Sequence, residues 1–271
     1  MTTAAMSAPS GTAQDAAAPV AMIDRVALIL DAFNGPAQLT LAQVVAQTGL
    51  PRSSAHRILE HLVKIRWLSR DEGVYRLGLA VLELGGLAAH QNQLRAVALP
   101  HLHELHAVTG LVVHLTVLDG PEIVYLEKIG GPLGMRIPSR VGGRQPAHCT
   151  AAGKALLAFA GQDVRRDALA LTPRGRTCRS ITTGQQLDAE LRRVLERGVA
   201  FDHEEAVVGL GCVASPVGPP ESPRAAISVC GPAGQLPFDR LVGQVRGAAS
   251  QAWAAFCGGR RLPGRVPALT R

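Results

Sequence analysis

The sequence predicts a mainly α winged helix-turn-helix at the N-terminus followed by an α+β domain, and three observations predict it. Two short apolar stripes at helical spacing meet at a glycine within residues 40–67, TLAQVVAQTGLPRSSAHRILEHLVKIRW. Two β-prone runs then fold back around Asp71-Glu72-Gly73, a hairpin signal. Beyond residue 110 the patterns run strands, helices, strands and one long helix, which is an α+β order and not a βαβ one.

Taken in order, residues 1–20 are mostly Ala, Ser, Thr, Gly and Pro with one acid, a composition expected to stay disordered. Ile23, Val26, Ala27, Leu30 and Phe33 mark a first helix, stopped by Asn34-Gly35-Pro36. Leu41, Val44 and Val45 form the next stripe, ending at Thr48-Gly49. Ala55, Ile58, Leu59, Leu62 and Val63 form the one after it. Opposite that last stripe lie Ser53, Arg57, Glu60, His61 and Lys64, with Ser54 and His56 on its flanks. A polar face led by Ser and Arg suits the major groove, where Arg grips guanine O6 and N7. Arg70 and Arg76 flank the hairpin turn, in reach of backbone phosphates. With Thr40 and Arg52 they complete the expected DNA-binding set of Thr40, Arg52, Ser53, Ser54, His56, Arg57, Lys64, Arg70 and Arg76. The bland alternative is a helical hairpin with a solvated face, or a module that contacts protein. The basic wing weighs against both.

The helix-turn-helix domain is assigned to residues 21–78 and a connector and dimerisation helix to 79–95. Within LAVLELGGLAAHQNQLRAVALPHLHELHAVTG, Pro100 is expected to begin or kink the second half, whose stripe is Leu102, Leu105 and Val108. The larger domain is assigned to residues 96–257. LVVHLTVL and EIVYLEKI, around Asp119-Gly120-Pro121, predict an antiparallel pair. Thr150 can cap a helix over residues 151–159, and residues 187–196 form another that Gly198 closes. Strands are expected at 199–203, 207–217 and 225–230. The last helix should run over 238–256 with Leu241, Val245, Ala248, Ala249, Ala252 and Phe256 inward. A basic tail at 258–271 is expected to be disordered.

Composition bounds the function. The 271 residues carry 28 Lys and Arg against 21 acids, a net charge of +7, which favours polyanion partners. Residues 23–77 hold only 7 basic against 5 acidic residues, so charge supports nucleic-acid contact weakly. Aromatics make up 3%, leaving little with which to stack single-stranded bases. No apolar run is long enough to span a membrane, and the first 24 residues hold no Lys or Arg, unlike a signal or transit peptide. Five cysteines without a CxxC pair suggest a cytoplasmic protein with reduced thiols.

RIPSRVGGRQPAHCTAAGKALLA (136–158), FDHEEAVVGLGCVASPV (201–217) and AAISVCGP (225–232) add what periodicity cannot. They closely resemble the effector-binding domain of the IclR (isocitrate lyase regulator) family of bacterial transcription factors. TGLPRSSAHRILEHL (48–62) resembles the same family's recognition helix, and the match extends over about residues 22–256. The resemblance implies a winged helix-turn-helix joined to a GAF-like effector-binding domain. It implies a dimer or dimer of dimers whose binding to double-stranded operator DNA responds to a small organic acid. It places effector contacts at Ala151, Ala152, Asp202, Cys212, Ser228 and Cys230, with Met135 and Ile137 expected as apolar wall. Backbone N–H groups at a helix N-terminus suit a carboxylate, and Ser228 and Cys230 alternate onto one face of their strand. Asp202 would repel an anion and is expected to accept from a ligand hydroxyl or to hold the loops. Two departures stand out: Arg66 occupies a position usually Gly, and Cys230 one that is often Ser. The second gives a weaker donor and a more apolar wall, pointing away from the smallest acids.

No cofactor, metal or enzymatic activity is expected. A hydrolase or zinc site could draw on His148-Cys149, Asp202-His203-Glu204-Glu205, Cys212 and Cys230. The chain has no HExxH, paired CxxC or GxSxG to support one.

Overall fold

The computed structural model describes residues 21–170, 175–219 and 221–259. The N-terminal tail expected at 1–20 lies outside that range. At the other end Gly258 and Gly259 still belong to the last helix, and residues 260–271 lie outside. The chain divides into two units after Ala88.

The first unit begins with α1 (Met22–Asp31), β1 (Leu39–Thr40), α2 (Leu41–Thr48) and α3 (Arg52–Lys64). It continues with β2 (Leu68–Asp71), β3 (Val74–Leu77) and α4 (Leu79–Gln91), the last crossing the division. Thr40 starts α2 by a capping box: its hydroxyl accepts from the Gln43 amide, and the Gln43 side chain accepts from the Thr40 amide. Gly49 ends α2 in the left-handed conformation and turns the chain towards α3. Ala55, Ile58, Leu59 and Leu62 of α3 are buried with Ile29, Phe33, Val44, Leu68 and Tyr75. Each fully buried aliphatic contributes roughly 1.5–3 kcal/mol. The α1 stripe differs from expectation: Ile23 is 79% exposed and Ala27 exposed, while Ile29 is fully buried. The hairpin turns through Glu72 and Gly73, both at positive φ. β1 joins it, giving a three-stranded sheet in the order β1-β3-β2 that sequence pattern did not reveal.

The connector differs from the expected 79–95 helix. Asn92, not Pro100, interrupts it, its side chain accepting from the Arg95 amide to start α5 (Gln93–Thr109), which runs through Pro100. Leu94 lies in the core of the second unit, whereas α4 has no buried residue.

The second unit is organised on a six-stranded antiparallel sheet in the order β6-β5-β4-β9-β8-β7. After α5 come β4 (Val112–Asp119), β5 (Glu122–Ile129), a short α6 (Pro132–Arg136) and β6 (Arg144–Pro146). Then follow α7 (Ala151–Phe159), α8 (Gln162–Ala170) and α9 (Gly184–Arg197). β7 (Ala200–His203), β8 (Leu210–Val217), β9 (Ala225–Pro232) and α10 (Phe238–Gly259) complete it. α6, β6 and α8 were not expected, and β8 begins three residues later than the pattern suggested. Thr150 caps α7 and Gly198 closes α9 as expected. One face of the sheet packs on α5 and α10 through Val113, Leu115, Val213, Ile227 and Val229. The other packs on α7 and α9 through Ala214 and Ala226.

Candidate functional site

Ser53, Arg57 and Lys64 are exposed on the outer face of α3, with Arg52 and His56 exposed beside them and Ser54 half-buried. The two sides of that face differ. Towards the wing, Glu60 accepts from Arg70 at 2.5 Å and from the Tyr75 hydroxyl at 3.2 Å. Arg70 therefore ties the wing to α3, its guanidinium 6.0 Å from the Tyr75 ring centre. Towards α1, Arg57 and His61 border a groove with Met22 and Val26. Arg76 donates to Gln38 at 2.8 and 3.1 Å. Thr40 is occupied as a helix cap. Arg66 stands at φ 63°, the left-handed conformation that glycine takes without penalty, and its guanidinium is 2.7 Å from Glu83. Gly78 is required opposite it, since a Cβ there would lie 2.2 Å from the Arg66 carbonyl oxygen.

In the second unit the in-register pairing builds a cavity floor. Asp202, Cys212, Cys230 and Val112 form one cross-strand row, and Ala200, Ala214, Ser228 and His114 the next. A narrow cavity with about 40 Å³ of room lies over these rows. Of the residues expected to contact an effector, Ala151, Ala152, Ile137, Asp202, Cys212, Ser228 and Cys230 line this one cavity. Met135 does not: it is 86% exposed, because α6 turns it outward. His114, Tyr125, Gln145 and Ser139 also line it and were missed in sequence. The strand alternation that places Ser228 also places His114, so this one was recoverable.

α7 points its N-terminus at the cavity. Its first amides have no carbonyl one turn earlier to bond, and the Thr150 hydroxyl takes only that of Gly153. Gly153 permits the close approach, since a Cβ would fall 2.2–2.6 Å from backbone atoms of Ala147. The segment 137–139 is held over the cavity by Lys128, whose ammonium donates to the carbonyls of Ile137 (2.9 Å) and Ser139 (2.5 Å). Ser139 Oγ lies 2.8 Å from His114 Nε2. Burial, aided by Lys128, pushes His114 down to about 3, so its imidazole is neutral. His114 Nδ1 and Gln145 Oε1 are buried without a hydrogen-bond partner, two polar atoms that a ligand can satisfy.

Asp202 is buried, and its Oδ1 accepts from the Glu205 amide at 2.6 Å. Burial pushes its carboxyl up to about 7, with the Glu205 charge adding to the rise and the Glu205 amide and Lys154 opposing it. Near neutral pH the neutral and charged forms are thus comparable in population, and only the neutral one is free of the repulsion expected from sequence. Lys154 and Glu205 form a buried ion pair at 2.6 Å behind it. Cys149 donates to the Pro146 carbonyl, and burial pushes its thiol up to about 12, the reverse of what a nucleophile needs. The expectation of unpaired cysteines is corrected at Cys212 and Cys230, which are joined as a disulfide across β8 and β9. Spacing in sequence carries no trace of this pair, since strand register creates it. Among the described residues no helix is long and apolar enough to cross a membrane.

A recognition helix with a wing, followed by an α+β unit that encloses a polar-floored cavity, defines a winged helix-turn-helix DNA-binding regulator. Comparison with known proteins gives the lineage. Residues 22–72 match the IclR helix-turn-helix domain, and residues 86–253 the bacterial transcriptional regulator IclR C-terminal domain. The HTH-type transcriptional regulator XynR of Escherichia coli is 35% identical over 72% of this chain and 79% of that protein. The probable transcriptional regulator SauR of Cupriavidus necator is 34% identical over 86% and 94% respectively. An IclR homologue from Microbacterium hydrocarbonoxydans, solved in complex with 4-hydroxybenzoate, is 29% identical with a TM-score of 0.77, covering 88% of this chain and all of that one. The chain belongs to the IclR family of bacterial transcriptional regulators, a non-enzymatic family.

Proposed function

We propose that the protein is a dimeric regulator whose operator affinity is set by a small, partly apolar carboxylic acid bound over the β8–β9 floor. The observation that carries this reading is the N-terminus of α7, with the amides of Ala151 and Ala152 directed at a cavity that contains no fixed anion when Asp202 is protonated. Ser228 supplies a hydroxyl, and Ile123, Ile137 and Leu210 supply apolar wall. The structural relative that holds 4-hydroxybenzoate supports an acid of this kind.

In the same reading Ser53, Ser54 and Arg57 contact bases, and Arg52, His56, Lys64 and Arg76 contact phosphates. Arg70 serves mainly to fix the wing, and Thr40 to start α2. Two recognition helices must lie about 34 Å apart, or a multiple of it, on a two-fold operator, so a dimer is required. The exposed Met22 and Ile23 and the α4 residues Leu79, Leu82, Leu84 and Leu87 supply apolar surface for it.

The test is footprinting of the full-length protein on its upstream DNA, followed by calorimetry and operator release with a panel of aliphatic and aromatic acids. Binding of an acid that depends on Ser228 and Asp202 and changes operator affinity is expected. An acid that releases DNA equally from wild type and from Ser228→Ala and Asp202→Ala variants would place the sensor elsewhere.

A further inference from the structure

We infer that Cys212 and Cys230 form a reversible redox pair inside the effector pocket, so that oxidation by a peroxide lowers the protein's affinity for its acid. The inference rests in part on the acid-binding reading above. Cys212 and Cys230 are direct cross-strand partners, with Cα atoms 4.3 Å apart, and they carry the bond between β8 and β9. That separation is typical of a narrow antiparallel pair, so strand register alone brings the two sulfurs face to face, whether bonded or not. Both line the cavity; Cys212 is the cross-strand partner of Asp202, and Cys230 lies two residues along β9 from Ser228. The cavity they line has room for a peroxide-sized molecule beside the two sulfurs.

The other cysteines are poorly placed for this chemistry. Cys149 is buried with its thiol held protonated, and Cys178 and Cys257, though exposed, have no disulfide partner among the described residues to resolve a sulfenic acid. A bacterial regulator also works beside its DNA, in a compartment kept reducing, where a disulfide is usually transient and redox-sensing.

The chemistry balances without a cofactor. One thiolate attacks the peroxide O–O bond, forming a sulfenic acid and releasing hydroxide, which takes up a proton as water. The neighbouring thiol attacks the sulfenic sulfur, and a second water leaves as the S–S bond forms. Each sulfur loses one electron, and hydrogen peroxide accepts both. A dithiol reductant reverses the step by exchange. In the reduced pocket two S–H groups stand beside the ligand as weak donors. In the oxidised pocket neither remains, and β8 is fixed to β9 directly under the ligand.

The experiment uses the full chain carrying Cys178→Ser and Cys257→Ser, so that only the pair and buried Cys149 remain. Peroxide followed by dithiothreitol should form and then remove a Cys212–Cys230 linkage, read by peptide mass spectrometry. Calorimetry with 4-hydroxybenzoate should show about tenfold weaker binding to the oxidised form, the loss of one hydrogen bond's worth of affinity. The same chain with Cys212→Ser should show no redox dependence. Failure of peroxide to link the pair, or a linked form that binds the acid as well as the reduced one, overturns the inference. If the linkage cycles but neither form binds any acid of the aliphatic and aromatic panel, the acid pocket itself is refuted, and the gating with it.

Discussion

Replacing Asp202 with Asn keeps the side-chain shape and the oxygen that accepts from the Glu205 amide, and removes one proton. In the wild type burial raises the carboxyl from 3.8 to about 7. A bound carboxylic acid is ionised from pH 6 to 8.5. Two like charges about 4 Å apart repel by about 4 kcal/mol at an effective dielectric of 20, so the acid binds the protonated form. Affinity should be full below pH 7 and fall by up to tenfold per unit above it, with one proton taken up per acid bound. The variant should bind with no such slope. Stability carries the same sign. The folded pKa is raised, so Asp202 contributes stability that is fully present below 3.8 and is lost as pH rises through about 7. Three units amount to on the order of 4 kcal/mol, which Asp202→Asn should not lose. Calorimetry with 4-hydroxybenzoate, in two buffers of different ionisation enthalpy, counts the proton directly. A flat wild-type profile from pH 6 to 8.5, or an equal slope in the variant, would refute the reasoning.

Arg57→Ala should cost about 1–3 kcal/mol of operator binding and relax one base pair, and equal loss on random DNA would deny it a base-reading role. Gly153→Ala should destabilise the domain by about 3 kcal/mol, because backbone atoms of Ala147 block the new methyl; an unchanged melting temperature would contradict this. Lys154→Met should cost about 3–5 kcal/mol by leaving the Glu205 carboxylate buried alone, and adding Glu205→Leu should recover most of it in chemical denaturation. A fragment starting at Gln93 should keep acid binding and lose operator binding, and sedimentation should find the full-length chain dimeric at micromolar concentration.

The helix-turn-helix was legible because its signals are local. A capping threonine, a left-handed glycine and a stripe every three or four residues each constrain the backbone within one turn. The same holds for α10, where all six expected inward residues are buried. The connector misled because Pro100 is a louder breaker than Asn92, yet a side-chain cap ends one helix and starts another as firmly as a missing amide does. Ile23 fits the α1 stripe but lies a turn before the helix reaches its core. At the site, Ala151, Ala152, Ser228 and Asp202 came through the family resemblance, and the structure gathers them on one cavity. The roles of His114 and Gln145 depend on neighbours far away in sequence. So does the bond between Cys212 and Cys230, which exists only once β8 and β9 are in register.

Strand alternation also separates two demands on the same few residues. Along β9, Ser228 and Cys230 look into the cavity while Ile227 and Val229 fill the core against α5 and α10; on β8, Cys212 and Val213 divide the same way. Neighbours in the chain thus answer to different selective pressures. On the acid-binding reading proposed above, substitution at the cavity-facing set would alter which ligand fits while the core-facing set keeps the scaffold standing. An insertion or deletion of one residue in either strand would exchange the two sets and lose both properties together.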